Sequence, residues 1–272
     1  MTFSTNDQLN WGVSSAALTA TLDDGQQIPV FDKVAQVRDD NGAVLGITSP
    51  SYEIYQNNDL KNLITPMVDE GLLEITNIGY LGKGEKVFIQ AQMAQEYKIV
   101  GEAHRARITL LNAHDGSAAL AAGVTDHRVI CSNTFAMAMT DLDKRLRHTA
   151  DIHTHALEIT QTIDYVNENM MRFRDASETL AHTNCDDAML DTLIAATYKK
   201  PVENVRAANS IRRFFREGAG NEGVSLWDGL NAITQYTTHS AMKDDGKRFA
   251  SVNFGANALR NRTAMNAALA LV

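Results

Sequence analysis

The chain has 272 residues, of which 44% are hydrophobic, so it can bury one large core or two modest ones and lies far from disordered compositions. A formal charge of −8 and a pI near 5.5 argue against a protein wrapped in nucleic acid, since such binding rests on many neutralised phosphates, but they allow a local basic groove. No stretch approaches the roughly 20 consecutive apolar residues that span a bilayer.

The N-terminal Met1-Thr2-Phe3-Ser4 run lacks the basic-then-apolar pattern of a signal peptide. Cys131 and Cys185, with no CxxC spacing, suit neither a disulfide framework nor a zinc site, and a reducing cytoplasm is the expected location.

Residues 1–50 read as loops with short strands. Ile28-Pro29-Val30 and Val34 to Arg38 are strand-like, and the Asp39-Asp40-Asn41-Gly42 turn leads into Val44-Leu45-Gly46-Ile47. Next, Leu60, Leu63, Ile64, Met67 and Val68 repeat at helical spacing, with Asn57 or Asn58 as cap and Gly71 as stop. Pro66 is expected to interrupt that helix, with Thr65-Pro66 able to open a second, shorter one.

From Leu72 to about Cys131 the period changes to two. Four antiparallel strands are expected: Leu73 to Leu81, Lys86 to Met93, Arg105 to Asn112 and Ser117 to Val124. Ser132-Asn133-Thr134 then reads as a helix cap, and most of the chain beyond it as helix. Ile152, Ala156, Ile159, Ile163, Val166, Met170, Phe173 and Leu180 form a heptad seam, with Ser177 at the skipped place. One helix of about thirty residues is expected to bury this seam, against a second copy of the chain or against its own.

The expected class is therefore α+β: an antiparallel β-meander with flanking helices, then a mostly helical C-terminal half containing one long heptad-patterned helix. Residues 1–50 form a β and loop segment, 51–140 a helix-plus-sheet core, and 141–272 a helical part packed with that core as one domain.

Two strand faces could carry binding. Lys86, Phe88, Gln90 and Gln92 share one face of the second meander strand, and Arg105, Arg107 and Thr109 share one face of the third. If the strands pair, cations for phosphates, amides for base edges and a ring for stacking merge into a surface suited to single-stranded nucleic acid. The competing reading is an ordinary half-polar sheet face. Lys144, Arg145, Arg147 and His148 form a second cationic cluster. Arg206, Asn209, Arg213 and Arg216 line one side of a helix after Pro201, with Val205, Ala208, Ile211 and Phe215 opposite.

His153 and His155 resemble an HxH metal pair, but i and i+2 side chains on a helix point about 200° apart, so one ion cannot take both. His114-Asp115-Gly116 is turn chemistry before it is an acid–base pair. No phosphate-binding Gly loop, nucleophile elbow or HExxH motif occurs. No enzymatic activity, metal or cofactor is expected.

The run Leu110-Leu111-Asn112-Ala113-His114-Asp115-Gly116-Ser117, followed by Val129-Ile130-Cys131-Ser132-Asn133-Thr134 and Met137, resembles the signature of the phage/plasmid-like protein family catalogued as domain of unknown function 932. Arg147-His148-Thr149, the segment Trp227 to His239 and the Phe254-Gly255 tail resemble its later motifs, with Asn257 in place of a glycine. The resemblance covers roughly residues 50–265 and brings no agreed catalytic residues.

The order helix, meander, helix is also similar in architecture to phage single-strand-annealing recombinases of the Red-beta and Erf types, which oligomerise and hold single-stranded DNA beside a sheet. The expectation is a phage- or plasmid-encoded protein that binds single-stranded DNA and extends this to strand annealing. It would act as a homo-oligomer, through Lys86, Phe88, Arg105, Arg107 and Arg128 with help from Lys144, Arg145 and Arg147. The alternative is a non-enzymatic protein-interaction factor, a host-takeover or anti-defence protein, with no DNA affinity. A hydrolase using His114-Asp115 and the histidines near His153 is a third class, for which the motifs are weakest.

Overall fold

The computed structural model describes residues 8–128, 133–136, 144–156, 158, 166–198 and 205–272. They form an α+β protein in two compact units. The first comprises residues 1–94, 108–123 and 141–164; the second comprises 95–107, 124–140 and 165–272.

Strands β1 (Val13–Thr21), β2 (Gln27–Arg38) and β3 (Val44–Thr48) make an antiparallel sheet in that order. β1 escapes the sequence reading because it carries almost no period-two burial. Only Val13 is buried, and most of its other residues face water. Strand β2 runs unbroken where two short segments are expected, because the pairing jumps from Ala17↔Val34 to Leu18↔Val30 across a bulge.

Helix α1 (Asn57–Asp69) buries Leu60, Leu63, Ile64 and Val68, as its spacing requires. It is one helix, not two. Pro66 lies inside it, on the exposed side, and the proline removes only the N–H that would have met the carbonyl of Asn62, itself exposed. The helix stops where Gly71 (φ 74°) donates to Val68 O and Leu72 donates to Met67 O, a paired C-terminal closure that glycine permits.

Four meander strands come next: the first has the expected bounds, the second and third are longer, and the fourth is shifted toward the C-terminus. They are β4 (Leu73–Leu81), β5 (Lys86–Ile99), β6 (Glu102–Ala113) and β7 (Leu120–Arg128). The expected helix cap at Asn133-Thr134 is instead strand β8 (Asn133–Ala136), antiparallel to β7 with Arg128 opposite Asn133. A last short strand, β9 (Lys144–Leu146), pairs with the start of β7 at Leu120 to Ala122. The sheet order is β4-β5-β6-β7-β8, with β9 also on β7. In the first unit its buried residues include Leu73, Val87, Ile89, Ala91, Ile108, Leu110 and Leu120.

The remaining helices are α2 (Ile152–His155), α3 (Val166–His182), α4 (Asp187–Tyr198), α5 (Val205–Glu217), α6 (Leu226–Gln235), α7 (Asp245–Phe254) and α8 (Ala256–Leu269). Helix α6 is buried from Leu226 to Thr234 and meets α3, α4, α5 and α8, which makes it the axis of the second unit. Gly229 allows the close approach of α4, since a Cβ there would lie 3.3 Å from Leu193 Cδ2. Ser225 and Asp228 cap α6 reciprocally, and buried Asp228 also accepts from Val224 N at 3.1 Å.

Of the heptad seam, Ile152, Ala156, Val166, Met170, Phe173 and Leu180 are buried, and Ser177 satisfies its hydroxyl on Phe173 O at 2.7 Å. Ile159 and Ile163 lie outside the described residues. Helix α2 ends at His155 and α3 begins at Val166, so the continuity of a thirty-residue helix also falls there. Along α3 the seam is covered by helices α6 and α8 of the same chain.

Candidate nucleic-acid interface

The expected site residues divide between the units. Lys86, Phe88, Lys144, Arg145 and Arg147 belong to the first, and Arg105, Arg107 and Arg128 to the second. The face carrying Phe88 and Gln90 is not solvated. Phe88 is 6% exposed, its ring lying close to Gly79 across the pair, where a Cβ would stand 3.3 Å from Cζ. Gln90 is 4% exposed and donates to Thr109 Oγ1 at 3.0 Å. Both faces of β5 are thus covered at this point, and Phe88 packs rather than stacks on a base. Lys86 is half-buried beside it. Arg145 and Arg147 are exposed, while the side chain of Lys144 lies outside the described residues.

Arg128 has a structural task. Its side chain is 1% exposed, pairs through Nε and Nη2 with both oxygens of Glu102, and donates to Gly220 O at 3.0 Å. Its Nη1 also faces Asn221 Oδ1 at 3.4 Å, and a guanidinium so buried and so engaged is not open to a phosphate, so it leaves the candidate set.

Arg105 and Arg107 remain, and the structure adds a residue that the sequence reading missed. Residues alternate across strands, so Arg105 and Arg107 on β6 share a face with His127 on β7, while His104 and Asp126 share the opposite one. The charges of both arginines act on His127, whose pKa is pushed down to about 4, first by burial and then by Arg107, His104, Arg105 and His239. Arg107 is half-buried, and that burial lowers its own pKa against the pull of Asp126. Glu96 is the one acid in ion-pair range of Arg105 among the described residues, at 3.6 Å. Nε of Arg105, Nε of Arg107 and Nδ1 of His127 are buried and lack hydrogen-bond partners among the described residues. Leaving such groups unpaired costs about 1–3 kcal/mol each. Two guanidinium groups and an imidazole thus share a face on which, among the described residues, acceptors are few.

The opposite face of these strands is packed. His104 Nδ1 meets Asp126 Oδ2 at 2.7 Å, both fully buried, and burial raises the Asp126 carboxyl against the opposing hydrogen bond from His104. The His104 ring lies 6.1 Å from that of Trp227 and 6.4 Å from that of Phe173. Helices α3 and α6 thus cover one side of these strand ends and leave the arginines on the other.

Charge is segregated as well. The first unit holds 8 Lys and Arg against 18 Asp and Glu, a balance of −10; the second holds 17 against 15, a balance of +2. Helix α5 exposes Arg206, Asn209, Arg213 and Arg216, as its spacing predicts, over a buried Ala208, Ile211 and Phe215. Arg216 pairs with Asp187 at 2.5 Å and Arg212 with Asp191 at 2.8 Å, so two of its cations are partly spent on α4.

His114, His153 and His155 each have local partners. His114 is buried beside Trp11, with Nε2 3.0 Å from Asn57 Oδ1, and burial drives its pKa to about 4. His153 faces Glu53 and Asp59 at 3.8 and 3.9 Å, while His155 meets Glu158 at 2.6 Å, so the two rings engage different acids. Among the described residues no group of three or more His, Cys, Asp or Glu is arranged to hold a metal ion, and no helix is long and apolar enough to cross a membrane.

A family model described as Domain of unknown function (DUF932) matches residues 44–269. The chain belongs to that family. The DUF932 match spans the candidate face and all eight α-helices of the described residues, whereas β1 and β2 lie ahead of it. Several residues that carried the resemblance have structural tasks in the DUF932 match. Asn112 donates to Tyr55 O at 2.7 Å, Asp115 closes its turn by accepting from Ser117 N at 2.9 Å, and Trp227 and Tyr236 are buried. No curated protein and no solved structure matches the chain.

Proposed function

We propose that this protein binds single-stranded DNA through Arg105, Arg107 and His127, with the exposed side of α5 tracking further phosphates. The observation that carries the reading is the face of β6 and β7, where two arginines and a histidine hold buried, unpartnered nitrogen atoms and, among the described residues, Glu96 is the one acid in ion-pair range of Arg105. A phosphodiester oxygen supplies the missing acceptors, and charge-assisted hydrogen bonds from guanidinium groups are the strong kind. Those nitrogen atoms are closed to solvent, so the contact begins at Arg105, whose side chain is 35% exposed, and a flexible single strand is expected to follow this face better than a rigid duplex. The near-neutral second unit tolerates this contact, whereas the acidic first unit repels it. Annealing of complementary strands, in the manner of the phage proteins that share the helix–meander–helix order, is the extension of this reading.

The test is fluorescence anisotropy of a labelled single-stranded oligonucleotide at two salt concentrations, with a duplex of the same sequence as control. The reading expects single-strand-selective binding that weakens as salt rises. Absence of binding at low salt, or a preference for the duplex, overturns it.

A further inference from the structure

Strand β5 runs on to Ile99, past the Met93 limit that its period-two pattern suggests. In the added stretch Tyr97 and Ile99 are buried while Glu96 and Lys98 are exposed, so burial on one side turns the two charged residues to the other. Glu96 lies 3.6 Å from Arg105, which fixes that other side as the one carrying Arg105 and Arg107. Lys98, two residues nearer the turn, shares it. These four residues and His127 all belong to the second unit.

The cations of the hairpin therefore form a graded row. Lys98 is exposed beside the Val100-Gly101 turn, the side chain of Arg105 is 35% exposed, and Arg107 is half-buried with its Nε closed to solvent. Among the described residues Lys98 makes no ion pair, whereas Arg105 has Glu96. An ammonium on a flexible four-carbon stem is a mobile point charge, suited to meeting a phosphate before the planar guanidinium groups engage it. Glu96 acts the other way. Its side chain is 53% exposed, lies against Arg105 and repels an incoming anion, an effect that water weakens without abolishing.

We infer that Lys98 is a further phosphate contact of this face and that Glu96 restrains it, so that β5 regulates the affinity set up on β6 and β7. The inference rests on the reading that this face binds single-stranded DNA. Opposite charges two residues apart on one strand make the two roles separable, because removing each is expected to move the affinity in opposite directions.

Fluorescence anisotropy of a labelled single-stranded oligonucleotide over a salt series tests this on the full chain. Lys98→Ala is expected to bind more weakly than the parent, with a slope of log affinity against log salt shallower by about 0.7. Glu96→Gln is expected to bind about two- to fivefold more tightly at low salt. Lys247→Ala, which removes the same charge from an exposed position on α7 in the same unit, is expected to match the parent. All three positions are exposed, so an unchanged melting temperature is expected throughout. If the parent binds but Lys98→Ala keeps its affinity and slope, or loses no more than Lys247→Ala, the inference is overturned while the reading of the face stands. A Glu96→Gln variant no tighter than the parent overturns the restraint. A parent that fails to bind at low salt overturns the reading itself, and the inference with it.

Discussion

Arg128 and Arg107 sit on neighbouring strands and look alike in sequence, yet their surroundings give them opposite tasks. Arg128 is consumed by Glu102 and Gly220, while Arg107 has its Nε buried and unanswered. Arg128→Ala strands Glu102 and opens the strand end, so a loss of about 3 kcal/mol is expected in urea unfolding. Arg128→Met, which keeps the packing, is expected to lose less. His127 supplies a pH signature. Its folded pKa of about 4 lies below the ordinary 6.5, so the unfolded chain binds its proton first. The stability it contributes is present above about 6.5 and lost as pH falls toward 4. A bound phosphate works the other way, raising the pKa of His127 and drawing in a proton. Oligonucleotide affinity is therefore expected to rise as pH falls from 7 to 5. His127→Gln is expected to flatten that rise, and an equal rise in the variant would remove His127 from the site.

At the scale of elements, the hairpin between β5 and β6 closes on Val100 (φ 48°) and Gly101 (φ 79°), both left-handed. Two-residue turns of this kind want asparagine or glycine first, and a β-branched residue there is strained. Val100→Asn is expected to raise the stability by about 1 kcal/mol in thermal or urea melts. The same turn shows why β5 and β6 outrun their sequence-based limits: nothing in Tyr97-Lys98-Ile99-Val100 announces a reversal. Elements with one buried face were legible, such as α1, α5 and β4. Those whose pattern is erased by two-sided burial or two-sided exposure were not. Phe88 and Gln90 alternate with aliphatic residues as a solvated face would, but both sides of β5 are covered there. Strand β1 has too few buried residues to show any period. Strand β8 has only four residues, and Asn133-Thr134 serve equally well as a cap or as rungs opposite Arg128 and His127. Arg105 and Arg107 were legible as a pair of cations on one face. His127 was not, because its membership depends on which strand pairs with which.

Across the whole molecule, an overall charge of −8 conceals a partition into units of −10 and +2. Net charge therefore speaks poorly for what one face can bind, and the exposed row on α5 is compatible with an acidic protein. The near-neutral unit carries the face proposed to meet phosphates. Arg105 and Arg107 are proposed as the phosphate contacts. This is tested most directly by the salt dependence of single-stranded DNA binding in the double variant Arg105→Ala, Arg107→Ala, beside the parent. Each phosphate contact on a single strand contributes about 0.7 to the slope of log affinity against log salt, so the variant is expected to bind more weakly with a slope shallower by about 1.4, at unchanged melting temperature. A variant that keeps the parent's affinity and slope would contradict the account.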